Sequence, residues 1–162
     1  MTDLPTPPDG AEGPNLSSDN NTIVYKTPGQ GLMLGARDGS FDPHVINTDM
    51  TINTASFSPD GKQMVYMVRQ PPTWQIVVAS ADGGNPRLLT SLNPLDFQHP
   101  DNVAPSWSPD GKQILFLSNR NGKWEFFTIN VGGSGAQQVL KNVTDQVSIV
   151  YDYNGARVAT WR

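Results

Sequence analysis

The sequence predicts an all-β fold made of repeated four-stranded antiparallel units, and three observations lead there. "ASFSPDGKQMVYM" (55–67) returns almost unchanged as "PSWSPDGKQILFL" (105–117). The apolar residues after each "SPDG" follow a period of two, the repeat of a strand. Gly (15) and Pro (14) are abundant in a chain of 162 residues, which suits many short strands joined by tight turns. No 12-residue window has helical apolar spacing free of Gly, Pro or Asn.

Aligning Ser58-Pro59-Asp60-Gly61 on Ser108-Pro109-Asp110-Gly111 gives a step of 50 residues, and Trp74 falls on Trp124 at the same step. Degenerate copies flank these two. Upstream, Leu16, Asp19, Ile23 and Tyr25 fall on Trp107, Asp110, Ile114 and Phe116, at a step of 41 from the second copy. Downstream, Tyr151, Asp152 and Gly155 fall on Trp107, Ser108 and Gly111, at a step of 44 from the third. Self-similarity at such periods marks a repeat architecture.

Each copy is read as strands A to D. Strand A ends in a large apolar residue: Leu16, Phe57, Trp107 or Tyr151. The A–B turn uses Pro to preset φ, Asp to bond backbone two residues on, and Gly for a positive φ; Asp19, Pro59, Asp60, Gly61, Pro109, Asp110, Gly111 and Gly155 are assigned to it. Strand B is "TIVY" (22–25), "QMVYM" (63–67) or "QILFL" (113–117), all rich in β-formers. "NRNGKW" (119–124) is a B–C hairpin with the Asn-Gly signal. "RDGS" (37–40), "ADGG" (81–84) and "VGGS" (131–134) are C–D turns, and His44 falls on strand D of the first copy. A four-stranded meander of this length is one blade of a β-propeller. The expected organisation is a disordered lead-in or linker over 1–12, then blades near 13–49, 50–100 and 101–143, with a half blade, strands A and B only, at 144–162. Three and a half blades make a partial or open propeller, because closure takes about four to eight.

These phrases, each followed by W-x-I/F and a Gly-rich turn, resemble the PD40 (WD40-like) repeats of TolB-like propellers across residues 13–162. The first copy departs from the pattern with Ser18 and Asn20 in its turn, and the last with Asp152 and Tyr153 in place of Ser-Pro. The resemblance implies a bacterial extracytoplasmic adaptor. Together with the acidic, Pro-rich start, it suggests the C-terminal part of a larger protein.

The remaining chemistry is sparse. A formal charge of −4 with scattered Lys and Arg lacks the basic footprint of a nucleic-acid binder. With no Cys there is no thiolate zinc site and no Cys nucleophile. No apolar run is long enough to span a bilayer, so no direct membrane insertion is expected. The two histidines, His44 and His99, fall in different blades, and neither a G-x-S-x-G nor a phosphate-binding Gly loop occurs. No catalytic residue, metal site or cofactor is assigned.

The step of 50 exceeds 41 and 44, and the excess localises to "SLNPLDFQHPDNVA" (91–104), the connection from D of the second copy to A of the third. In a meander the D–A and B–C connections emerge at the same end, so this loop shares a rim with "VRQPPTW" (68–74) and "SNRNGKW" (118–124). Loops on one rim of a repeat scaffold commonly carry recognition. The candidate patch is Arg69, Trp74, Asp96, Phe97, His99, Asp101, Arg120 and Trp124. The expected function is non-catalytic binding of a protein or polymer partner through this rim, or self-association through an open blade edge. The alternatives are a blade segment from the gating propeller of a prolyl-oligopeptidase-type serine peptidase, and a structural subunit of a larger assembly.

Overall fold

A computed structural model describes residues 10–91 and 99–153. Among these residues twelve strands form three four-stranded antiparallel sheets, each a meander in sequence order. The first sheet holds β1 (Glu12–Leu16), β2 (Thr22–Thr27), β3 (Gly31–Ala36) and β4 (His44–Asn47). The second holds β5 (Asn53–Phe57), β6 (Gln63–Gln70), β7 (Thr73–Ser80) and β8 (Arg87–Leu88), and the third β9 (Asn102–Trp107), β10 (Gln113–Ser118), β11 (Glu125–Asn130) and β12 (Gln137–Val139). The described residues thus form a stack of three propeller blades.

Period two decides how the sheets stack. On β6, Met64, Tyr66 and Val68 point toward the first sheet and meet Val24, Leu32 and Leu34 there. Val65, the alternate residue, faces the third sheet with Ile76 and Val78 and meets Trp107, Ile114, Phe116 and Phe127. The second sheet is therefore buried on both faces, which explains why its strands read as nearly continuous apolar runs. Phe57 and Trp107 occupy matching places in consecutive interfaces, and the Trp107 indole Nε1–H donates to the Ser56 carbonyl of the preceding sheet at 3.1 Å.

At the outer side, Ile46, at the register shift of β4 between Val45 and Asn47, lies on the C–D turn of the second sheet. A Cβ at Gly83 would sit 2.8 Å from the Ile46 Cβ, and Gly83 holds φ +85° besides, so only glycine fits. One interface on, Leu89 and Arg87 lie against Gly133 in the same manner, with Arg87 Nη2 donating to the Val131 carbonyl.

The A–B turns share one hydrogen-bond plan. Ser108 Oγ donates to Asp110 Oδ1 (2.7 Å) and accepts from Gln113 N (2.9 Å), while Asp110 Oδ1 also accepts from Lys112 N (3.0 Å). Ser58, Asp60, Lys62 and Gln63 repeat the arrangement. The degenerate first turn keeps it through Ser17, Asp19, Asn21 and Thr22. Asn20 supplies the left-handed conformation there (φ 58°) that Gly61 and Gly111 supply in the others, a role asparagine tolerates better than most residues. A second shared feature carries no obvious sequence mark. Gly13, Thr54 and Ala104 all lie at positive φ, at the β-bulge in strand A of each sheet.

Three expectations are corrected. Residues 102–104, counted with the inserted loop, belong to strand β9, because they ladder onto β10 at Leu117 and Ser118. Leu16, assigned to the same packed position as Phe57 and Trp107, is 40% exposed, since no described sheet precedes the first. The half blade shows no strand A within 140–153. A short helix α1 (Lys141–Thr144) follows β12, and Ile149 and Tyr151 pack on the third sheet with no ladder partner among the described residues. The expected strand B, with Gly155 in its turn, lies outside the described residues.

The Ser-Asp turns tie stability to acid. Hydrogen bonds from Ser17, Ser58 and Ser108 hold the Asp19, Asp60 and Asp110 carboxyls below their ordinary range. A depressed folded-state pKa contributes stability above the unfolded value of about 3.9, and that contribution is lost as pH falls through the folded value. The Asp60→Asn/Asp110→Asn double variant should melt about 2–8 °C lower than the parent at pH 7. Between about pH 4.5 and 2.5 its melting temperature should fall less steeply than the parent's; equal slopes in a pH series of thermal melts would contradict this account.

Candidate functional site

The rim of the D–A and B–C connections is organised by Asp101. Its Oδ1 accepts from the Trp74 backbone N–H at 2.8 Å, and its Oδ2 accepts from the Tyr153 hydroxyl at 2.6 Å. Its own N–H donates to Asn119 Oδ1 at 2.8 Å. Asp101 thereby ties the 99–101 connection to the B–C hairpin of the second sheet and to the segment after α1 through its carboxylate, and to the hairpin of the third through its backbone N–H. A carboxylate serves here because it accepts several donors at once without needing a proton of its own.

An aromatic cluster surrounds this knot. Trp74 stacks on Tyr153 at 5.9 Å between centroids and 27° between planes. Trp124 meets Tyr151 and Tyr153 edge-on at 5.7 and 6.0 Å, and the two tyrosines meet at 5.4 Å. Such offset and edge-on geometries suit aromatic quadrupoles. Trp74 and Trp124 are half-buried and join the packing on the third sheet's outer face, with Tyr151 buried at its centre. Asn53 Nδ2 donates to the Tyr153 carbonyl at 3.3 Å, tying the cluster to β5.

Below the rim lies a buried polar chain. Gln75, wholly buried, donates from Nε2 to Thr73 Oγ1 (2.8 Å), and its Oε1 accepts from Thr90 Oγ1 (2.7 Å) and Asn102 Nδ2 (3.1 Å). Arg120 continues the chain, donating from Nη2 to Asn102 Oδ1 (2.9 Å) and from Nε to Ser118 Oγ (3.0 Å), with its guanidinium 4.3 Å from the Phe127 ring centroid. Burial pulls the Arg120 guanidinium down from its ordinary value. The cation keeps its charge, held by neutral acceptors and an aromatic face.

Of the eight sequence-selected residues, Asp101, Trp74, Arg120 and Trp124 come together around this network. Arg69 is exposed, opposite Trp74 in the β6–β7 ladder, and the hairpin tip between them carries a cis Pro71-Pro72 bond. His99 is exposed on the connection itself. Asp96 and Phe97 lie outside the described residues. His44 sits exposed on β4, its ring edge-on to Phe41 at 5.5 Å. The opposite rim holds a cleft of about 320 Å³ between consecutive A–B turns, lined by Ser58, Pro59, Asp60, Gln63, Pro109, Asp110 and Gly111. Among the described residues no group of three or more His, Cys, Asp or Glu is gathered as a metal site would require, and no helix is long and apolar enough to cross a membrane.

Sequence reasoning missed Tyr153, Asn53 and the Gln75 chain. One signal was available. Gln75 and Glu125 interrupt otherwise apolar C strands at the same place in two copies. Both are buried, with Glu125 accepting from Asn121 Nδ2 at 2.7 Å and pairing with Lys123 at 3.5 Å. Tyr153 gave no such signal, because its partner Asp101 is remote in sequence and its copy of the turn is degenerate.

Burial pushes the Tyr151 hydroxyl up to about 12, and burial followed by the bond to Asp101 raises that of Tyr153. A raised folded-state pKa means stability is complete below the ordinary phenol value of about 10 and is lost as pH rises through the folded value. Tyr151→Phe and Tyr153→Phe should each flatten the fall in melting temperature above about pH 10; wild-type steepness in both variants would contradict the burial of these phenols.

Comparisons with known proteins fit this architecture. The family model of the TolB beta propeller domain, PD40, matches residues 13–161. No curated protein matches the chain. Among solved structures, TolB from Acinetobacter baumannii is similar with a TM-score of 0.64 at 20% identity, over 79% of this chain and 31% of that one. An oligogalacturonate lyase in complex with manganese gives 0.62 at 14%, over 79% and 41%. A puromycin-hydrolyzing peptidase of Mycobacterium tuberculosis gives 0.58 at 18%, over 83% and 24%. At these identities the likeness is one of fold, and the chain spans less than half of each of these proteins. With the family match running through all three sheets and their repeated turns, the chain belongs to the TolB β-propeller (PD40) family.

Proposed function

We propose that this chain is a non-catalytic propeller module that recognises a protein or polymer partner through the rim of its D–A and B–C connections. The observation that carries this reading is the Asp101 knot. It joins two hairpins and the 99–101 connection, so the exposed Arg69, Gln70, Pro71, Pro72 and His99 are presented from a braced base. Bracing lowers the ordering cost that a mobile loop would incur on binding. Polar, aromatic-edged loops on a rigid repeat scaffold are the usual seat of recognition in such folds.

In this reading the described candidates divide in two. Arg69 and His99, both exposed, make direct contacts. Trp74, Trp124, Asp101 and Arg120 hold the surface in shape, with the half-buried indole edges adding apolar contact. The family resemblance supports a bacterial, extracytoplasmic setting and a place within a larger protein. The peptidase alternative has support only at the level of fold.

The test is site-specific photo-crosslinking in the source cells. A photoreactive residue at position 69 or 72 should give a discrete adduct that Arg69→Glu/His99→Ala abolishes, with circular dichroism and melting unchanged. A probe at position 112, on the opposite rim, should give none. Adducts only from position 112 would move the binding surface to the A–B turns.

A further inference from the structure

At the step of 50 residues, positions of the third sheet have counterparts in the second, and beneath the third B–C hairpin the counterparts change character. Ile52 and Val68, both buried in the second sheet, become Asn102 and Ser118, which are also buried. The exposed Gln70 becomes Arg120. The three replacements converge, because Arg120 donates from Nη2 to Asn102 Oδ1 at 2.9 Å and from Nε to Ser118 Oγ at 3.0 Å. Exchanging buried aliphatic groups for polar ones costs stability, and such departures from the local rule concentrate at functional sites. The meander itself does not require them, since the second sheet is built without them.

The cation that results is fixed and uncompensated. Its Cζ lies 4.3 Å from the Phe127 ring centroid and 5.5 Å from that of Phe116. Both hydrogen-bond partners are neutral, and no carboxylate among the described residues lies within ion-pair distance. Asp101 and Glu125, on the same rim, are engaged with Trp74 and Tyr153, and with Asn121 and Lys123. Arg120 Nη1 makes no hydrogen bond to the described residues and is not buried, so it reaches solvent. A second arginine without an ion pair among the described residues lies on the neighbouring hairpin. Arg69 is exposed and pairs in the ladder with Trp74, whose N–H holds Asp101, while Arg120 follows Asn119, which accepts the Asp101 N–H. The two arginines therefore flank one knot.

On the rim reading, on which this rests, we propose that the rim takes an acidic peptide segment of its partner, one carboxylate seated on Arg120 Nη1 and a second reaching Arg69. Arg120 thus braces the rim through two nitrogens and keeps the third for the partner. Folding has already fixed the guanidinium and removed part of its water, so a carboxylate gains a charge-assisted bond without the ordering cost of a free surface arginine. A peptide is favoured over a polyanion because the chain carries a formal charge of −4 and offers two separate arginines instead of a basic track. The half-buried edges of Trp74 and Trp124 suit apolar side chains beside the acid.

The experiment is an NMR titration of the isotope-labelled full chain, read through backbone amides and arginine Nε–H signals. The probes are a blocked tetrapeptide alternating glutamate and leucine, its glutamine–leucine counterpart, and trigalacturonate, each to about 10 mM, which reaches weak affinities. The glutamate peptide should shift the Arg120 Nε–H and the amides of 69–74 and 99–101 to saturation, and the glutamine peptide should not. Arg120→Lys keeps the charge but loses the planar donor set, and should weaken binding at least about tenfold. If that variant loses its circular dichroism, Asn102→Ile/Ser118→Val/Arg120→Gln, which installs the residues of the second sheet, takes its place and should bind as weakly. No shift with the glutamate peptide, equal shifts with both peptides, or unchanged affinity in the variant overturns the proposal. Shifts from trigalacturonate alone overturn it too, and assign the rim to an acidic polysaccharide. The cellular adduct from position 72 separates this proposal from the rim reading. An adduct that Arg120→Lys leaves undiminished overturns the arginine anchor and keeps the rim, whereas no adduct from the wild type overturns the rim itself.

Discussion

A four-stranded meander with apolar residues on both faces cannot stand alone in water, and this constraint governs the rest of the molecule. Every sheet needs a neighbour on each side, and the neighbour must arrive in register. Phe57 and Trp107 set that register by filling matching positions in consecutive interfaces, with a hydrogen bond from the Trp107 indole to the preceding sheet. The Ser-Asp turns, the strand-A bulges and the close contacts at Gly83 and Gly133 are local devices that let successive sheets meet in this way.

The same constraint produces the rim. Stacked sheets bring one hairpin per blade to the same end, and the D–A connection must pass between them. Asp101 uses that proximity, accepting from one hairpin and donating to the other. Arg120 extends the bond through the buried Gln75 and Asn102 side chains. A network of this kind raises local rigidity only if its members are satisfied. The main bonds of this one are made within the protein.

Much of the fold was legible because its information is local. A Pro-Asp-Gly turn, a period-two apolar run and an Asn-Gly hairpin each report a few neighbouring residues, and their repetition at a near-constant step reports the stack. The site was less legible because it is made of long-range pairings. Asp101 with Trp74 and Tyr153, or Asn53 with Tyr153, leave no spacing in the sequence. Arg120 was assigned to the recognition patch because a turn of "NRNG" is ordinarily solvated, whereas here the guanidinium lies over Phe127. The bulge at Gly13, Thr54 and Ala104 was hidden for another reason: three different residue types adopt one backbone conformation.

The account rests on burial between consecutive sheets, and a double-mutant cycle across one interface tests it most directly. Val65 of the second sheet is paired with Ser56, whose carbonyl accepts from the Trp107 indole of the third. Thermal and denaturant unfolding of Trp107→Ala, Val65→Ala and the double variant should show Trp107→Ala alone losing about 3–5 kcal/mol. The two changes should be coupled by about 0.5–3 kcal/mol. Additive losses with no coupling, or a silent Trp107→Ala, would mean that these sheets do not meet face to face through Trp107.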